Sequence, residues 1–388
     1  MPHRSKANDT QVFEAVQSIH LSDEDGFLLP SATLLDIIQA HSVFPREHPM
    51  TTTTLANDKR LKALKEWLYH YLNTSQLQIT PLAGDASFRR YFRVSHQDQI
   101  WIAMDAPPQL EDSHSFVAIQ QHLAKLTLKV PQLYHVDLAQ GFILMDDLGD
   151  TWLWHEALNY KAPNLYQNAI DDLLMMQLHA APQDLPVFDN EFMGRELGFF
   201  TQWFLQEYLR LPLSGPEQAL LQDTFSQLMQ SAMAQPYYFT HRDYHSRNLM
   251  VLASEKIGIL DFQDAVSGPI CYDLVSLLRD CYVTLNENQL QTHLQYYFQK
   301  AVLMGLLPTQ DFNLFIKWFD WMGVQRHLKA IFIFARKQLR DNNPNFLGYI
   351  PRTLNYVVTI SDRYTELAGF NAFLQKRVLP TFEQVYAS

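Results

Sequence analysis

His241-Arg242-Asp243-Tyr244-His245-Ser246-Arg247-Asn248 sets a carboxylate and an amide five residues apart on one polar turn, with apolar runs on both sides, Tyr237–Thr240 before it and Leu249–Leu252 after. Thirteen residues beyond Asn248, the run Ile257-Gly258-Ile259-Leu260 ends in Asp261-Phe262. The two runs that follow the turn can pair as a hairpin, and that pairing brings Asn248 beside Asp261. Phosphoryl transfer asks for this set: a carboxylate that orients a hydroxyl and takes its proton, and hard oxygen ligands that hold Mg²⁺ against phosphates. In H-R-D-x-x-x-x-N the Asp is the base and the Asn reaches a metal, and the Asp of D-F-G supplies another ligand. Gln263 stands where that second pattern has glycine. The reading is Asp243 as base, with Asn248 and Asp261 as metal ligands. A capped loop and a structural aspartate would use the same residue types, but not two motifs in this order and spacing.

Upstream, the chain changes character. Leu61, Leu64, Leu68 and Leu72 recur at helical spacing, and strands are expected at Gln78–Pro81, Tyr91–Ser95, Ile100–Ala103 and Gly141–Met145, with a helix over Asp112–Leu126. After Gly149 the pattern is mainly helical (165–180, 190–210, 216–234, 288–303, 312–339). Strands first and helices later predict two lobes joined near residues 146–151, the smaller over 58–146 and the larger over 147–388. Residues 1–57 precede them. Within these, 1–49 read as a loosely ordered extension or as sequence upstream of the true start, since Met50 opens Met-Thr-Thr-Thr-Thr as a natural protein would; a docked N-terminal helix is the other reading.

Composition narrows the class. Of 388 residues, 47% are hydrophobic and 13% aromatic, enough for two sizeable cores and too many for a disordered chain. A net charge of −11 argues against a nucleic-acid partner. Two cysteines, Cys271 and Cys281, build neither a disulfide framework nor a four-cysteine metal site. With no apolar run of spanning length and no signal-peptide core, no membrane association and a cytoplasmic location are expected.

Between two expected strands lies Gly84-Asp85-Ala86-Ser87-Phe88-Arg89-Arg90-Tyr91-Phe92-Arg93. Its small residues allow close approach of backbone to phosphates, and Arg89 and Arg90 can add charge-assisted hydrogen bonds; an exposed basic hairpin is the plainer alternative. Strand alternation places Arg89, Tyr91 and Arg93 on one face and Arg90 and Phe92 on the other, so one of Arg89 and Arg90 is expected at the phosphates and the other on the outer surface. Asp146-Asp147-Leu148 reads as the hinge whose backbone meets an adenine edge, or as an ordinary turn. Strand Ile100–Asp105 carries no lysine to bind phosphate, so Asp105 needs a cation, and Glu111 has no evident lysine partner.

Gly268-Pro269-Ile270-Cys271-Tyr272-Asp273-Leu274, following Asp261, resembles the aminoglycoside phosphotransferase and choline kinase superfamily, which implies that Asp273 braces the catalytic loop. Taken together, GDASFRRYFR, WIAMDAPP, LMDDLG, HRDYHSRN and GILDFQDA closely resemble the N-acetylmuramate/N-acetylglucosamine anomeric kinases of cell-wall recycling, over about residues 58–388. The resemblance implies an α+β, bilobal, protein-kinase-like fold, with a small antiparallel-sheet lobe and a larger helical lobe. It also implies an amino sugar phosphorylated at its anomeric hydroxyl; ATP and Mg²⁺ are the cofactors expected, and a monomer is expected.

For the acceptor, His245 and Asp264 lie near enough in sequence to border the site. Along Trp318–Lys329, Gln325, Arg326 and Lys329 share one arc of a helix and Asp320 shares another with His327. These polar residues among aromatics suggest a wall of a sugar pocket, where Arg326 or Lys329 could meet a lactyl carboxylate, although a core helix with one solvated face has the same composition. Competing readings are an aminoglycoside or amino-alcohol kinase, and a nucleotide-binding scaffold without catalysis. A protein kinase fits poorly, because the stretch from Asp261 to Asp273 is too short for an activation loop.

Overall fold

The computed structural model describes residues 58–82, 88–158, 163–180 and 185–387. The expectations for residues 1–57 and for Gly84, Asp85, Ala86 and Ser87 lie outside these. Helix α1 (Lys59–Tyr71) starts at Asp58, whose carboxylate accepts from the N–H groups of Arg60 and Leu61 at 3.0 Å, a cap of the kind that contributes about 1 kcal/mol. Strands β1 (Gln78–Pro81), β2 (Arg90–His96), β3 (Gln99–Asp105), β4 (Leu133–Asp137) and β5 (Phe142–Asp146) form an antiparallel sheet in the order β1-β2-β3-β5-β4. Helix α2 (His114–Ala124) lies between β3 and β4 in sequence.

The two-residue period of the strands separates the sheet's faces. Phe92, Val94, Ala103, Phe142 and Leu144 pack under Leu61, Leu64, Trp67 and Leu68 of α1. Each large side chain buried there contributes about 1.5–3 kcal/mol. Ile102, Met104, Ile143 and Met145 face the other way and join the main core, which continues through Phe116 of α2 into the helical part.

Beyond Asp146 the chain becomes mainly helical: α3 (Leu153–Leu158), α4 (Pro163–His179), α5 (Asn190–Phe199), α6 (Gly215–Met233), α7 (Cys271–Leu278), α8 (Glu287–Leu303), α9 (Phe312–Asp341), α10 (Ile350–Ser361), α11 (Ala368–Phe373) and α12 (Leu379–Tyr386). Two small antiparallel ribbons interrupt them, β6 (Tyr237–Thr240) with β9 (Val266–Pro269), and β7 (Leu249–Val251) with β8 (Ile257–Ile259). The helix expected over 190–210 changes at Phe200 to the wider π winding, which runs to Tyr208. Helix α9 is 30 residues long and is buried along most of its middle, from Trp318 to Phe332. It is the spine on which the second core cluster is built.

Candidate active site

Strand β6 delivers the polar turn and β7 leaves it. The β7–β8 register, Leu249↔Ile259, Met250↔Gly258 and Val251↔Ile257, together with Leu260 N–H donating to Asn248 O at 3.0 Å, sets Asn248 against Asp261. Asn248 Nδ2 lies 3.3 Å from Asp261 Oδ2 and donates to Asp243 O at 3.0 Å. The crossing is tight at Gly258: a Cβ there would lie 2.8 Å from the flexible tip of Leu148, at Cδ1, and 3.3 Å from Met250 Cβ.

The site holds two strained residues, Arg242 in the turn at φ +74° and Asp261 after β8 at φ +61°. Left-handed backbone costs a side-chain-bearing residue of order 1–2 kcal/mol and persists only where its surroundings hold it. Asp273, on α7, does so for Arg242. Its carboxylate accepts from His241 N–H at 2.6 Å and Arg242 N–H at 3.0 Å. Asp280 pins the second half of the turn by accepting from the Ser246 N–H, and its other oxygen accepts from Tyr282 N–H. Inside the turn, His241 Nε2 donates to Leu260 O at 2.9 Å and Nδ1 accepts from Asp243 N–H at 3.3 Å, so the imidazole is neutral and fixed. Burial also holds His241 below its ordinary pKa.

Asp243 presents its carboxylate to the cleft, 37% exposed. Burial works to raise its pKa, but Lys329, then His245, Arg326 and Arg242, outweigh that effect and hold the carboxyl well below the usual range. Lys329 Nζ stands 3.7 Å from Asp243 Oδ1 and donates to Tyr272 OH at 3.2 Å. Asp261 shows the opposite tendency. Open to solvent on one side, it is still raised, first by the water the surrounding protein withholds and then by the charge of Asp243, despite the hydrogen bond from Gln263 Nε2 at 2.8 Å. A carboxylate short of positive charge, beside an amide, is an oxygen donor set that suits Mg²⁺. No group of three or more His, Cys, Asp or Glu capable of holding a metal occurs among the described residues. A Mg²⁺ ion there would leave room for phosphate and water as further ligands, as Mg²⁺ sites usually arrange.

On the sheet side, alternation sorts the arginines. Arg90 faces α1 and is fully engaged: with Arg60 it clasps Asp105, and it also pairs with Asp58. That answers what neutralises Asp105, and it removes Arg90 from the phosphate-binding set. Arg89 lies on the cleft face, 9% exposed, with Nε 3.4 Å from Glu111 Oε2 and Nη2 donating to Asp112 O at 3.3 Å. Phe88 N–H donates to the other oxygen of Glu111 at 3.2 Å, while the Phe88 ring is exposed. Asp261, Arg89 and Glu111 all act electrostatically on Tyr91, which places them around one point of the cleft. Phe262 stacks on Phe116 at 5.0 Å and so ties Asp261 to α2.

Other expectations are redistributed. Asp146 spends its N–H on Gln132 O, and its carboxylate on Tyr134 OH and Gln132 N–H, so it has no donor left for a base. Asp147 and Asp150 are clasped by Arg93, at 2.6 and 2.7 Å. Asp320 does not line a pocket: it is 1% exposed, taken by Arg279 Nη2 at 2.5 Å and Tyr364 OH at 2.7 Å. Gln325 is buried with Nε2 donating to Glu196 Oε2 at 3.1 Å. Arg326 is buried within electrostatic reach of Asp243 and Asp280. His245 sits edge-on to Tyr282 at 5.1 Å, and burial lowers its pKa. Asp264 is exposed, near Asp261 and Arg242.

Beside Asp243 opens a cavity of about 310 Å³, lined among others by Phe192, Glu196, Phe199, Arg242, Lys329 and Phe332. Glu196 and Arg336, a further lining residue, were not singled out from sequence. Arg336 follows Lys329 by seven residues, a helical spacing that would have found it.

Residues 78–306 match the phosphotransferase enzyme family. A Neisseria meningitidis serogroup B protein named N-acetylmuramate/N-acetylglucosamine kinase is 38% identical over 320 residues, covering 81% of this chain and 95% of the relative. A Pseudomonas aeruginosa protein of the same name is 37% identical over 82% of this chain and 97% of the relative. Among solved structures, the choline kinase LicA from Streptococcus pneumoniae superposes with a TM-score of 0.57 at 12% identity, covering 78% of this chain and all of that one. An ADP-bound aminoglycoside phosphotransferase gives 0.53 at 13% identity, covering 77% of this chain and 98% of that one.

Proposed function

Because the chain belongs to the phosphotransferase enzyme family, we propose that it transfers the γ-phosphate of ATP to the anomeric hydroxyl of N-acetylmuramate or N-acetylglucosamine. The observation that carries this reading is the agreement between two things. One is the name shared by relatives matched along nearly their whole length. The other is a base, Asp243, at the edge of a cavity walled by aromatic and cationic side chains.

In this reading the acceptor hydroxyl donates a hydrogen bond to Asp243. The sugar oxygen bonds to the γ-phosphorus, the bond from that phosphorus to the β–γ bridging oxygen breaks, and the hydroxyl proton passes to Asp243. Lys329 keeps Asp243 anionic, so this base is far weaker than an alkoxide and accepts the proton late, as the new O–P bond forms. Asn248 and Asp261 would hold Mg²⁺, which would supply neutralisation of charge on the phosphates. Asp273 and Asp280 keep the turn from relaxing, which preserves the spacing between base and metal ligands. Arg89, poised by Glu111, offers the cation that β3 lacks, and the backbone at Asp147 and Leu148 is assigned to the adenine edge. Residues 58–146 act as the nucleotide lobe, 147–388 as the catalytic and substrate lobe, and the cytoplasm is where ATP and free amino sugars meet. None of the described helices is long and apolar enough to cross a membrane.

The cationic cavity also weighs against an aminoglycoside or amino-alcohol acceptor, which the net charge of −11 taken alone would favour. The test is phosphorus NMR of reactions containing ATP, Mg²⁺ and each amino sugar, beside choline and an aminoglycoside. A sugar 1-phosphate is expected. Phosphorylation of the amines alone, or of nothing, would sink the reading.

A further inference from the structure

The cavity beside Asp243 holds four positive residues, Arg195, Arg242, Lys329 and Arg336, against one carboxylate, Glu196. Three of the four are matched by the protein itself. Arg242 Nη2 pairs with Glu196 Oε1 at 2.7 Å, Lys329 stands 3.7 Å from Asp243, and Arg195 Nη1 pairs with Glu191 at 3.0 Å. Glu196 has nothing left over, since its second oxygen accepts from Gln325. Arg336 is different. Its Nε is buried with no hydrogen-bond partner among the described residues, and the guanidinium lies over the Phe332 ring at 5.8 Å. The nearest acid along its helix, Asp341, is paired with Arg340 at 2.7 Å. Burial first, and then the like charge of Arg340, hold Arg336 below ordinary arginine basicity, with Asp341 pulling the other way.

Position gives this cation a meaning. Lys329 and Arg336 are two turns apart on one face of α9, about 10 Å along its axis, with Phe332 and Ile333 between them on the cavity wall. Lys329 marks the reacting end, beside Asp243. A sugar whose anomeric hydroxyl meets Asp243 and whose ring lies along Phe332 turns a substituent on the far side of the ring toward Arg336. N-acetylmuramate differs from N-acetylglucosamine by an O3-lactyl group that ends in a carboxylate.

We infer that Arg336 binds the carboxylate of an acidic amino-sugar acceptor and thereby sets a preference for N-acetylmuramate over N-acetylglucosamine. This rests on the sugar-kinase reading above. The guanidinium fork suits a carboxylate bidentately, and hydrogen bonds between such charged groups are the strong ones.

The experiment compares kcat/KM for the two sugars in the wild type, Arg336→Gln and Arg336→Lys. The readout is the ratio of the two constants, which a general loss of folded enzyme leaves unmoved. For Arg336→Gln the ratio of N-acetylmuramate to N-acetylglucosamine is expected to fall roughly 10- to 100-fold, with Arg336→Lys in between. A ratio within twofold of wild type in both variants would overturn the inference. A second measurement needs no variant: wild-type enzyme should lose a comparable factor when the lactyl carboxylate is replaced by its carboxamide, and equal turnover of acid and amide would also overturn it. Should the wild type phosphorylate neither sugar, the sugar-kinase reading itself fails; turnover of both with an unmoved ratio refutes only the role of Arg336.

Discussion

Replacing Asp273 by Asn tests whether the catalytic turn is held by one buried carboxylate. Asp273 is 1% exposed and accepts two backbone N–H groups, one of them from Arg242 in its left-handed conformation. Burial raises this carboxyl from 3.8 to about 6, with His241 and the two backbone donors pulling the other way. That interval corresponds to about 3 kcal/mol spent on keeping the group ionised above pH 6. Asn avoids this cost but gives up hydrogen bonds to a charged acceptor worth about 1.5–3 kcal/mol each. The variant should therefore be only about 0–3 kcal/mol less stable at pH 8. The sign of the pH effect follows from the raised folded value: the native state binds the proton more tightly than the unfolded chain, so the wild type loses stability as pH rises from about 4 through about 6. Asn has no such slope, and its deficit should be about 1 kcal/mol larger at pH 5 than at pH 8. Urea denaturation at the two pH values measures this difference, in which the other titrating groups cancel. In the same preparation kcat should fall at least about 10²-fold with little change in the KM for ATP, because Asp243 loses its fixed position. A variant with wild-type kcat, or with the larger deficit at pH 8, would refute the reasoning.

Three further changes probe the rest of the site. Asp243→Asn keeps the shape of the base and removes the proton acceptor, so kcat should drop at least about 10²-fold in single-turnover assays while ATP affinity holds; near wild-type turnover would remove Asp243 from the role. Asp261→Ala loses a charged ligand and should be barely recovered by excess Mg²⁺, whereas Asn248→Ala, losing a neutral one, should recover in part; indistinguishable Mg²⁺ titrations would contradict the assignment. Arg89→Ala should raise the KM for ATP several-fold and spare the sugar KM, while Arg90→Ala should lower the Tm and spare both, and the reverse pattern would exchange the two roles.

What the sequence disclosed was what depends on near neighbours. Asp243, Asn248 and Asp261 sit on one turn and one hairpin, so their approach follows from local pairing, and the two-residue period sorted Arg89 from Arg90 before any contact was known. Strand β4 escaped notice because Leu133-Tyr134-His135-Val136-Asp137 is a half-exposed edge strand with no continuous apolar run. The short helices after residue 350 carry no chemistry that would draw attention to them. Asp320 was misplaced for a different reason. Helical arithmetic gives the face of a residue but not what meets it, and Arg279 and Tyr364 come from 41 residues before and 44 after. Glu196 likewise matters only because α5 crosses α9 and brings it to Arg242 and Gln325.

The absent strand lysine shows how local rules and distant contacts combine. Met104, on the cleft face of β3, is fully buried opposite Tyr91, and that strand brings no cation to the face. The cation available to that face comes instead from the residue just before β2, one strand over, where Arg89 stands between Phe88 and Arg90 and meets Glu111 ahead of α2. An arginine suits that entry better than a lysine, since its fork can hold Glu111 and the Asp112 carbonyl together. Meanwhile Arg60, Arg90, Asp58 and Asp105 close among themselves on the far face and lock α1 to the sheet. Arg93 ties the same strand β2 to the segment that leaves β5. Arg89 just before β2 and Arg90 and Arg93 within it thus serve three tasks: alternation separates Arg90 from the other two, and their distance along the chain separates Arg89 from Arg93.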